Sequence, residues 1–225
     1  MAVTKKQLHE LINREDPGWP VVQGWIAEAK NLVEVLPPVG DATREKALVS
    51  IQVTTRSPMG AIIYETGGIL VDHGWLRILG SGHPRLPRSL PDWNFGRSVF
   101  ESGERPSSVL CADDAIGGFF AIDGGGFGIQ QGMVCYFAPD RLVWENTKLS
   151  YSQFLVWSFQ GDLAKYYESE RWPGWQQEVS NLGGDQVFGI YPFLFCDDKP
   201  ITERLRKPVS ISEVYDLQIG QRDER

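Results

Sequence analysis

The residues best suited to chemistry in this sequence are two pairs of neighbours, one of which contains a histidine. Asp72 is followed directly by His73, and Asp113 by Asp114. Histidine is the side chain whose ordinary pKa lies closest to neutrality, and a carboxylate beside it can hold or move a proton. If the fold brings these four residues together, they would form the site of a small hydrolase or of an enzyme that binds a small molecule.

The spacing around these residues follows no known catalytic or metal-binding pattern. The sequence contains no His-x-x-x-His, His-Glu-x-x-His or Gly-x-Ser-x-Gly motif. Its three cysteines are far apart and include no Cys-x-x-Cys pair, so we expect reduced, mostly buried thiols at Cys111, Cys135 and Cys196. Polar turn residues at strand ends would explain Asp72 and His73 equally well. The sequence therefore predicts no catalytic residue, no cofactor and no metal ligand, and the enzyme hypothesis stays the alternative.

A glycine-rich run, Asp-Gly-Gly-Gly-Phe-Gly, occupies residues 123–128. Glycines let backbone amides approach a phosphate closely, which suggests a nucleotide site. A phosphate-binding loop opens a helix, however, whereas residues 133–137 are typical of another strand. We therefore expect a hairpin turn or bulge here, with nucleotide binding as the alternative.

Three tryptophans are flanked by polar or charged residues and could be partly exposed. Exposed aromatic rings beside carboxylates would suit a protein interface, where tryptophan is a frequent energetic anchor. Alternatively, each ring closes an edge of the hydrophobic core. These tryptophans and the two pairs of neighbours described above are the candidate interaction or pocket residues: Asp72, His73, Trp75, Trp93, Asp113, Asp114 and Trp144.

The charge balance favours some partners and disfavours others. The formal net charge is -7, from 29 acidic and 22 basic side chains, which repels a phosphate backbone and argues against nucleic acid. A basic protein partner is favoured instead. We find neither a secretion signal nor an apolar run of about 18 residues, so we expect no membrane insertion and a cytoplasmic location.

Helical patterns dominate the two ends of the chain. Near the N-terminus we predict a helix capped by Thr4 and Gln7, a second over residues 19–30, a third starting at Asp41 and a fourth starting at Ser57. Toward the C-terminus, Ser150 and Gln153 form a capping box before one helix that extends to Tyr167. A short helix after Trp172 and a last helix capped by Ser210 and Glu213 follow.

Between these helices, short apolar runs are separated by Gly, Pro and Asp, which is typical of antiparallel strands. The predicted strands cover residues 69–72, 75–79, 109–112, 119–123, 133–137, 142–145 and 187–195. Residues 80–106 are rich in Pro, Gly and Ser, and a loop of that length is often functional or mobile.

These elements predict an α+β fold, with N-terminal helices followed by a mainly antiparallel sheet and a packed helix near the C-terminal third. With 225 residues and 42% hydrophobic residues, the chain can bury one substantial core, so we expect a single domain over residues 1–225. Its helical part would cover about residues 1–66, its sheet about 67–148 and its closing part 149–225.

Four stretches resemble the bacterial family known as domain of unknown function 2625, and the likeness extends over nearly the whole chain. They are residues 54–61, 67–82, 90–94 and 113–122, among them Leu-Pro-Asp-Trp-Asn and Asp-Asp-Ala-Ile-Gly-Gly-Phe-Phe-Ala-Ile. This family implies no activity and no catalytic residues.

A more distant resemblance is to the SMI1/KNR4-like (SUKH) superfamily. In both, helices precede a Gly-Gly strand, a strand meander and a closing helix, here at residues 67–68, 118–123, 133–137 and 152–155. The superfamily includes immunity proteins that bind and neutralise toxins, so the resemblance implies an interaction module rather than an enzyme. Residues 80–106 and the chain beyond Arg171 depart from that pattern.

Overall fold

The computed structural model describes residues 5–99, 106–196 and 199–223. The N-terminal part contains four helices and one strand: α1 (Leu8–Leu11), α2 (Trp19–Ala27), β1 (Val33–Leu36), α3 (Asp41–Ile51) and α4 (Pro58–Glu65). Helix α4 begins as expected, because the Ser57 hydroxyl accepts a 3.1 Å hydrogen bond from the Gly60 amide and proline occupies the first turn. The predicted cap at Thr4 lies outside the described residues.

The central part is a seven-stranded antiparallel meander in which each strand pairs with the next along the chain. Strand β1 forms one edge, and the others follow in the order β2 (Gly68–Val71), β3 (Leu76–Leu79), β4 (Ser108–Asp114), β5 (Phe119–Asp123), β6 (Met133–Ala138) and β7 (Val143–Ser150). The expectation of a mainly antiparallel sheet in an α+β fold is confirmed.

The closing part adds helices and a separate two-stranded ribbon. Its elements are α6 (Tyr151–Gln160), α7 (Leu163–Tyr166), α8 (Trp175–Ser180), β8 (Gln186–Tyr191), a 3-10 turn (Ile201–Glu203), β9 (Leu205–Ser210) and α9 (Ile211–Asp223). Strands β8 and β9 pair with each other in antiparallel fashion. The capping box at Ser150 and Gln153 is present as predicted.

Four departures from the predicted elements have identifiable reasons, whereas β4 and β7 are longer than the predicted strands over residues 109–112 and 142–145. Helix α2 ends at Ala27, and the predicted helical stretch of residues 1–66 contains strand β1, whose four residues are too few to show a period. The predicted helix through Tyr167 is broken, because Gly161 is extended and the Asp162 carboxylate caps a new helix, accepting from the Lys165 amide at 3.0 Å. Strand β8 ends at Tyr191, before a proline, rather than at residue 195.

Part of the predicted loop over residues 80–106 has regular structure, and part lies outside the residues that the structure describes. Residues 100–105 are not described, whereas residues 80–99 contain helix α5 (Leu90–Asn94). Leu86, Leu90 and Trp93 are buried in the core. This half of the segment is packed against the sheet by its apolar side chains.

One contiguous cluster of buried side chains joins the N-terminal helices, the sheet and the closing helices. Its largest fully buried members are mostly aromatic, in line with a chain that is 12% Phe, Trp and Tyr. No helix in the described part of the chain is long and apolar enough to cross a membrane.

Candidate functional site

Antiparallel pairing brings Asp72 and His73 to the same end of the sheet as Asp113 and Asp114. The turn between β2 and β3 contains Asp72 and His73, and strand β4 ends at Asp114 opposite Leu76. The amide of Ala115 then donates to the carbonyl oxygen of Trp75 at 2.8 Å. Sequence reasoning grouped these residues by chemistry, and the register of β3 against β4 places them near one another.

Asp113 is fully buried between two arginines. Its Oδ1 accepts from Arg77 Nε at 2.6 Å, and its Oδ2 accepts from Arg88 NH1 at 2.6 Å. Burial lowers the pKa of Arg77, and the charge of Asp113 opposes that effect. Both carboxylate oxygens of Asp113 are thus bound by guanidinium groups, so this side chain is held in a buried structural contact.

The same arginines tie the sheet to the closing part of the chain. Arg77 NH1 donates to the carbonyl oxygen of Gln186 at 2.6 Å, and Arg88 NH2 donates to that of Gly184 at 2.9 Å. The arginines therefore connect β3 and the segment before α5 to the start of β8. The sequence carried a signal for this network, since Arg77 interrupts an otherwise apolar strand and a buried charge requires a partner.

Asp114 organises the turn between β4 and β5. Its Oδ1 accepts from the Gly118 amide at 2.8 Å, and its Oδ2 accepts from the Tyr136 hydroxyl at 2.7 Å. Burial raises the pKa of Asp114, although these hydrogen bonds favour its charged form. A Cβ atom at residue 118 would lie 2.3 Å from the Tyr136 hydroxyl oxygen and 2.4 Å from Asp114 Oδ2, which is why this turn requires glycine.

Asp72 forms an ion pair with Arg171, whose NH2 lies 2.6 Å from Asp72 Oδ2. The guanidinium carbon of Arg171 lies 4.0 Å from the ring centre of Trp175 and 4.9 Å from that of Trp75. This cation among aromatic rings fixes the β2–β3 turn to the segment that leads into α8. Asp72 is thus occupied by a structural contact.

His73 alone among the four proposed enzyme residues lines a cleft. It is exposed, its ring packs edge-on against Trp175, and it faces a cleft of about 440 Å³ that also contains Arg77, Arg85 and Asp185. Asp72, Asp113 and Asp114 do not line this cleft. The structure therefore brings the four residues to one end of the sheet without assembling them in one pocket.

The tryptophans divide between core and surface. Trp75 and Trp93 are 0% and 3% exposed, so their interpretation as exposed interaction anchors is wrong and the core alternative holds. Each is enclosed by aromatic or cationic neighbours, such as the Arg97 guanidinium 3.8 Å from the Trp93 ring centre. Trp144 is half-buried and stacks on Phe127, with 4.2 Å between ring centres.

The glycine-rich run is a turn built around Asp123. The carboxylate of Asp123 accepts hydrogen bonds from backbone amides of the loop itself, at distances from 2.7 to 3.3 Å: Gly125, Phe127, Ile129 and Gln130. Strand β6 follows, with no helix between. These amides serve an internal carboxylate, as the hairpin interpretation predicts, and are not directed toward a phosphate. Within the described residues, no group of three or more His, Cys, Asp or Glu side chains could hold a metal ion.

Sequence reasoning missed an exposed apolar surface, which we call the ribbon groove. It is a groove of about 660 Å³ between the β8–β9 ribbon and α9. Four of the eleven large hydrophobic side chains that are exposed in the described residues line it: Tyr191, Phe193, Leu205 and Leu217. The one sequence feature that could have indicated this groove is Leu205, an apolar residue between two charged residues. It indicates an exposed apolar face only once β9 is known to pair with β8.

Comparison with known proteins places these features in a family context. The chain matches the family described as "Protein of unknown function DUF2625" over residues 8–214. It is 43% identical over 218 residues to the Escherichia coli (strain K12) uncharacterized protein YbfG, covering 97% of this chain and 98% of the relative. It is also 43% identical over 217 residues to an uncharacterized protein of Haemophilus influenzae, covering 96% of this chain and 95% of that relative.

Proposed function

Because the chain belongs to the DUF2625 family, whose description names no activity, we propose a function from the structure: a cytoplasmic, non-enzymatic protein-interaction module. Its contact surface is the ribbon groove. The observation that carries this proposal is the concentration of exposed apolar side chains there, with Leu205 76% and Tyr191 63% exposed. Contiguous exposed apolar surface is costly in water and is typical of a surface that a partner covers.

Charge supports one class of foreign partner. The net charge of -7 attracts a basic protein and repels an acidic one at long range. Glu213 is exposed on α9 in the groove and adds to that attraction locally, whereas the exposed Lys207 on β9 opposes it. An immunity-like role, in which the module neutralises a basic toxin, is the specific form that the distant superfamily resemblance favours.

Affinity capture from a native host tests the module with matched baits. The wild-type chain is compared with Leu205→Asp, which places a charge in the groove, and with Leu32→Asp, which changes an exposed leucine elsewhere. Leu32 is 57% exposed and does not line the groove. We expect a stoichiometric partner that the wild type and Leu32→Asp retain and Leu205→Asp loses, at low and at physiological salt. Failure to retain either a foreign protein or a second copy of the chain through this groove would contradict the proposal.

Small-molecule binding is a second candidate function, favoured by the cleft at His73. Arg77 and Arg85 line that cleft with the imidazole. Arg77 is also paired with Asp113 and Arg85 with Glu34, and the positive charge that they bring to the cleft favours an anionic small molecule. A panel of small carboxylates and phosphates should then raise the unfolding temperature of the wild type but not of His73→Ala. An unchanged unfolding temperature across the panel would remove this candidate.

A further inference from the structure

We propose that a second copy of this chain covers the ribbon groove, packing groove to groove about a twofold axis. This inference rests on the proposed function, because it names the partner for the same surface. Two copies that each carry a net charge of -7 repel one another at long range, so apolar contact and ion pairs within the groove must outweigh that repulsion. Three features of the ribbon and of α9 carry it: the face on which the apolar side chains lie, the charges on the two sides of the groove, and the free edge of β9.

The exposed apolar side chains share one face of the ribbon. Leu205 pairs with Tyr191, and Lys207 pairs with Gly189 two residues further along. Since side chains alternate across a strand, Leu205, Lys207 and Tyr191 point to the same face. Gly189 carries no side chain there, and the methyl groups of Val209 lie 3.0–3.1 Å from where its Cβ atom would be, so the centre of this face is also apolar. Leu217 on α9 bounds the face, and a second copy could pack its own apolar side chains against it.

The charges beside the groove are self-complementary. Lys207 lies on the strand side and Glu213 on the helix side, and both are exposed. Neither forms an ion pair within the part of the chain that the structure describes. In a twofold interface, contact of residue i with residue j is matched by contact of j with i. Lys207 of each copy can therefore meet Glu213 of the other, giving two equivalent ion pairs at the rim.

The edge of β9 explains why the second copy would pack on side chains rather than extend the sheet. The amide of Phe188 donates away from β9, to the carbonyl oxygen of Ala115 at 2.7 Å. Phe188 and its partner Pro208 therefore form a non-hydrogen-bonded pair, and the nitrogen of Pro208 faces the free edge of β9. Proline has no N–H to donate there, which blocks addition of another strand. The side-chain face is the surface left for association.

Analytical ultracentrifugation of the purified chain tests the twofold contact. We expect a reversible monomer–dimer equilibrium for the wild type, with a dissociation constant raised roughly tenfold or more by Leu205→Asp and unchanged by Leu32→Asp. Circular dichroism and thermal unfolding show whether each variant is folded. A wild type that remains monomeric at every concentration, or a dimer that Leu205→Asp leaves unchanged, would overturn the inference.

Charge reversal then tests the orientation of the two copies. Lys207→Glu and Glu213→Lys should each weaken self-association, because each places like charges opposite one another. A mixture of the two variants should form a heterodimer, since one rim then has the native ion pair and the other has the same pair with its charges exchanged. Mixing Lys207→Glu with Glu28→Lys, a charge reversal of the same size at an exposed site outside the groove, should give less heterodimer than the first mixture, because one of its two rims opposes two glutamates and Glu28→Lys still pairs with itself through an unchanged groove. Equal restoration by both mixtures would mean that net charge, not the twofold contact, governs association.

The two proposals can fail separately. If the chain is monomeric and a basic protein is captured through the groove, the second copy is excluded and the interaction module stands. If the chain is monomeric and the groove variants capture nothing different from the wild type, both fail.

Discussion

The guanidinium group of Arg88 lies 2.6 Å from the carboxylate of Asp113, although 25 residues separate them in the chain. Arg77 binds the other oxygen of the same carboxylate. One buried anion thus holds two strands and the segment before α5 in register, and through both arginines it holds the start of β8. The residues that look most catalytic in the sequence serve here to join the sheet to the closing part of the fold.

Asp113→Asn should be strongly destabilising. The amide keeps the shape of the side chain but leaves two buried guanidinium groups without a counter-charge, which we expect to lower the free energy of unfolding by roughly 3–5 kcal/mol. Urea denaturation measures the change. Glu145→Gln is the matched control, because Glu145 pairs with Arg141 on the surface and its loss should cost less than about 1 kcal/mol. Equal losses for the two variants would contradict a structural role for the buried carboxylate.

Asp114 should make the protein less stable as the pH rises. Burial raises its pKa in the folded state, so the folded chain holds this proton more tightly than the unfolded chain does. The corresponding stabilisation is complete below the unfolded pKa, about 3.9, and is lost as the pH rises through the folded pKa. Asp114→Asn cannot ionise, so its unfolding free energy should lack this decline. Parallel pH profiles for wild type and variant, from urea denaturation, would show that Asp114 is not the titrating group.

Asp123 should have the opposite pH dependence. Burial acts to raise its pKa, but the backbone amides of the glycine-rich turn outweigh burial and lower it. The stabilisation is therefore present above the unfolded pKa and is lost as the pH falls through the lower folded value. Asp123→Ala leaves the loop amides without their acceptor and should cost roughly 1–3 kcal/mol.

Amide hydrogen exchange locates that effect. The amides of Gly125 and Gln130 should exchange faster in Asp123→Ala, while those of strand β2 keep their wild-type rates. Unchanged exchange in the loop would mean that the turn is held by its backbone alone. Asp140→Ala, at an exposed turn between β6 and β7, is the control for removing a carboxylate.

Local sequence signals predicted what depends on local chemistry. Strand β5 has the predicted bounds, and the capping box at Ser150 begins α6 where expected, because alternation and capping act within a few residues. Strand β9 was missed because its sequence, Leu-Arg-Lys-Pro-Val-Ser, has charges and a proline that are atypical of a strand. It exists because its backbone pairs along its whole length with β8.

The candidate sites depend on contacts that no local pattern contains. The sequence placed Asp72 and Asp113 in one hypothetical site, and pairing of β3 with β4 brings them to one end of the sheet. What it could not predict was that Arg171 and Arg88 occupy these carboxylates, since both lie far away along the chain. The ribbon groove could not be predicted from the sequence for the same reason, because it forms only when β8, β9 and α9 pack together.

The cysteines give a last prediction, in which exposure separates three thiols of identical chemistry. Cys196 is exposed, whereas Cys111 and Cys135 are buried in the sheet. Burial raises the pKa of the Cys135 thiol to about 11 and raises that of Cys111 as well, so neither forms much reactive thiolate near neutral pH. A thiol reagent should therefore modify one cysteine quickly in the native protein and the other two only after denaturation.

Cys196→Ser identifies the fast thiol. In this variant the rapid phase should vanish while the two slow modifications remain, with rates set by opening of strands β4 and β6 rather than by the reagent. Destabilising substitutions such as Asp113→Asn should accelerate the slow modifications and leave the rate at Cys196 unchanged, because only the buried thiols require opening. Rapid modification of two or more thiols in the native wild type would mean that the sheet around Cys111 or Cys135 opens far more readily than its burial implies.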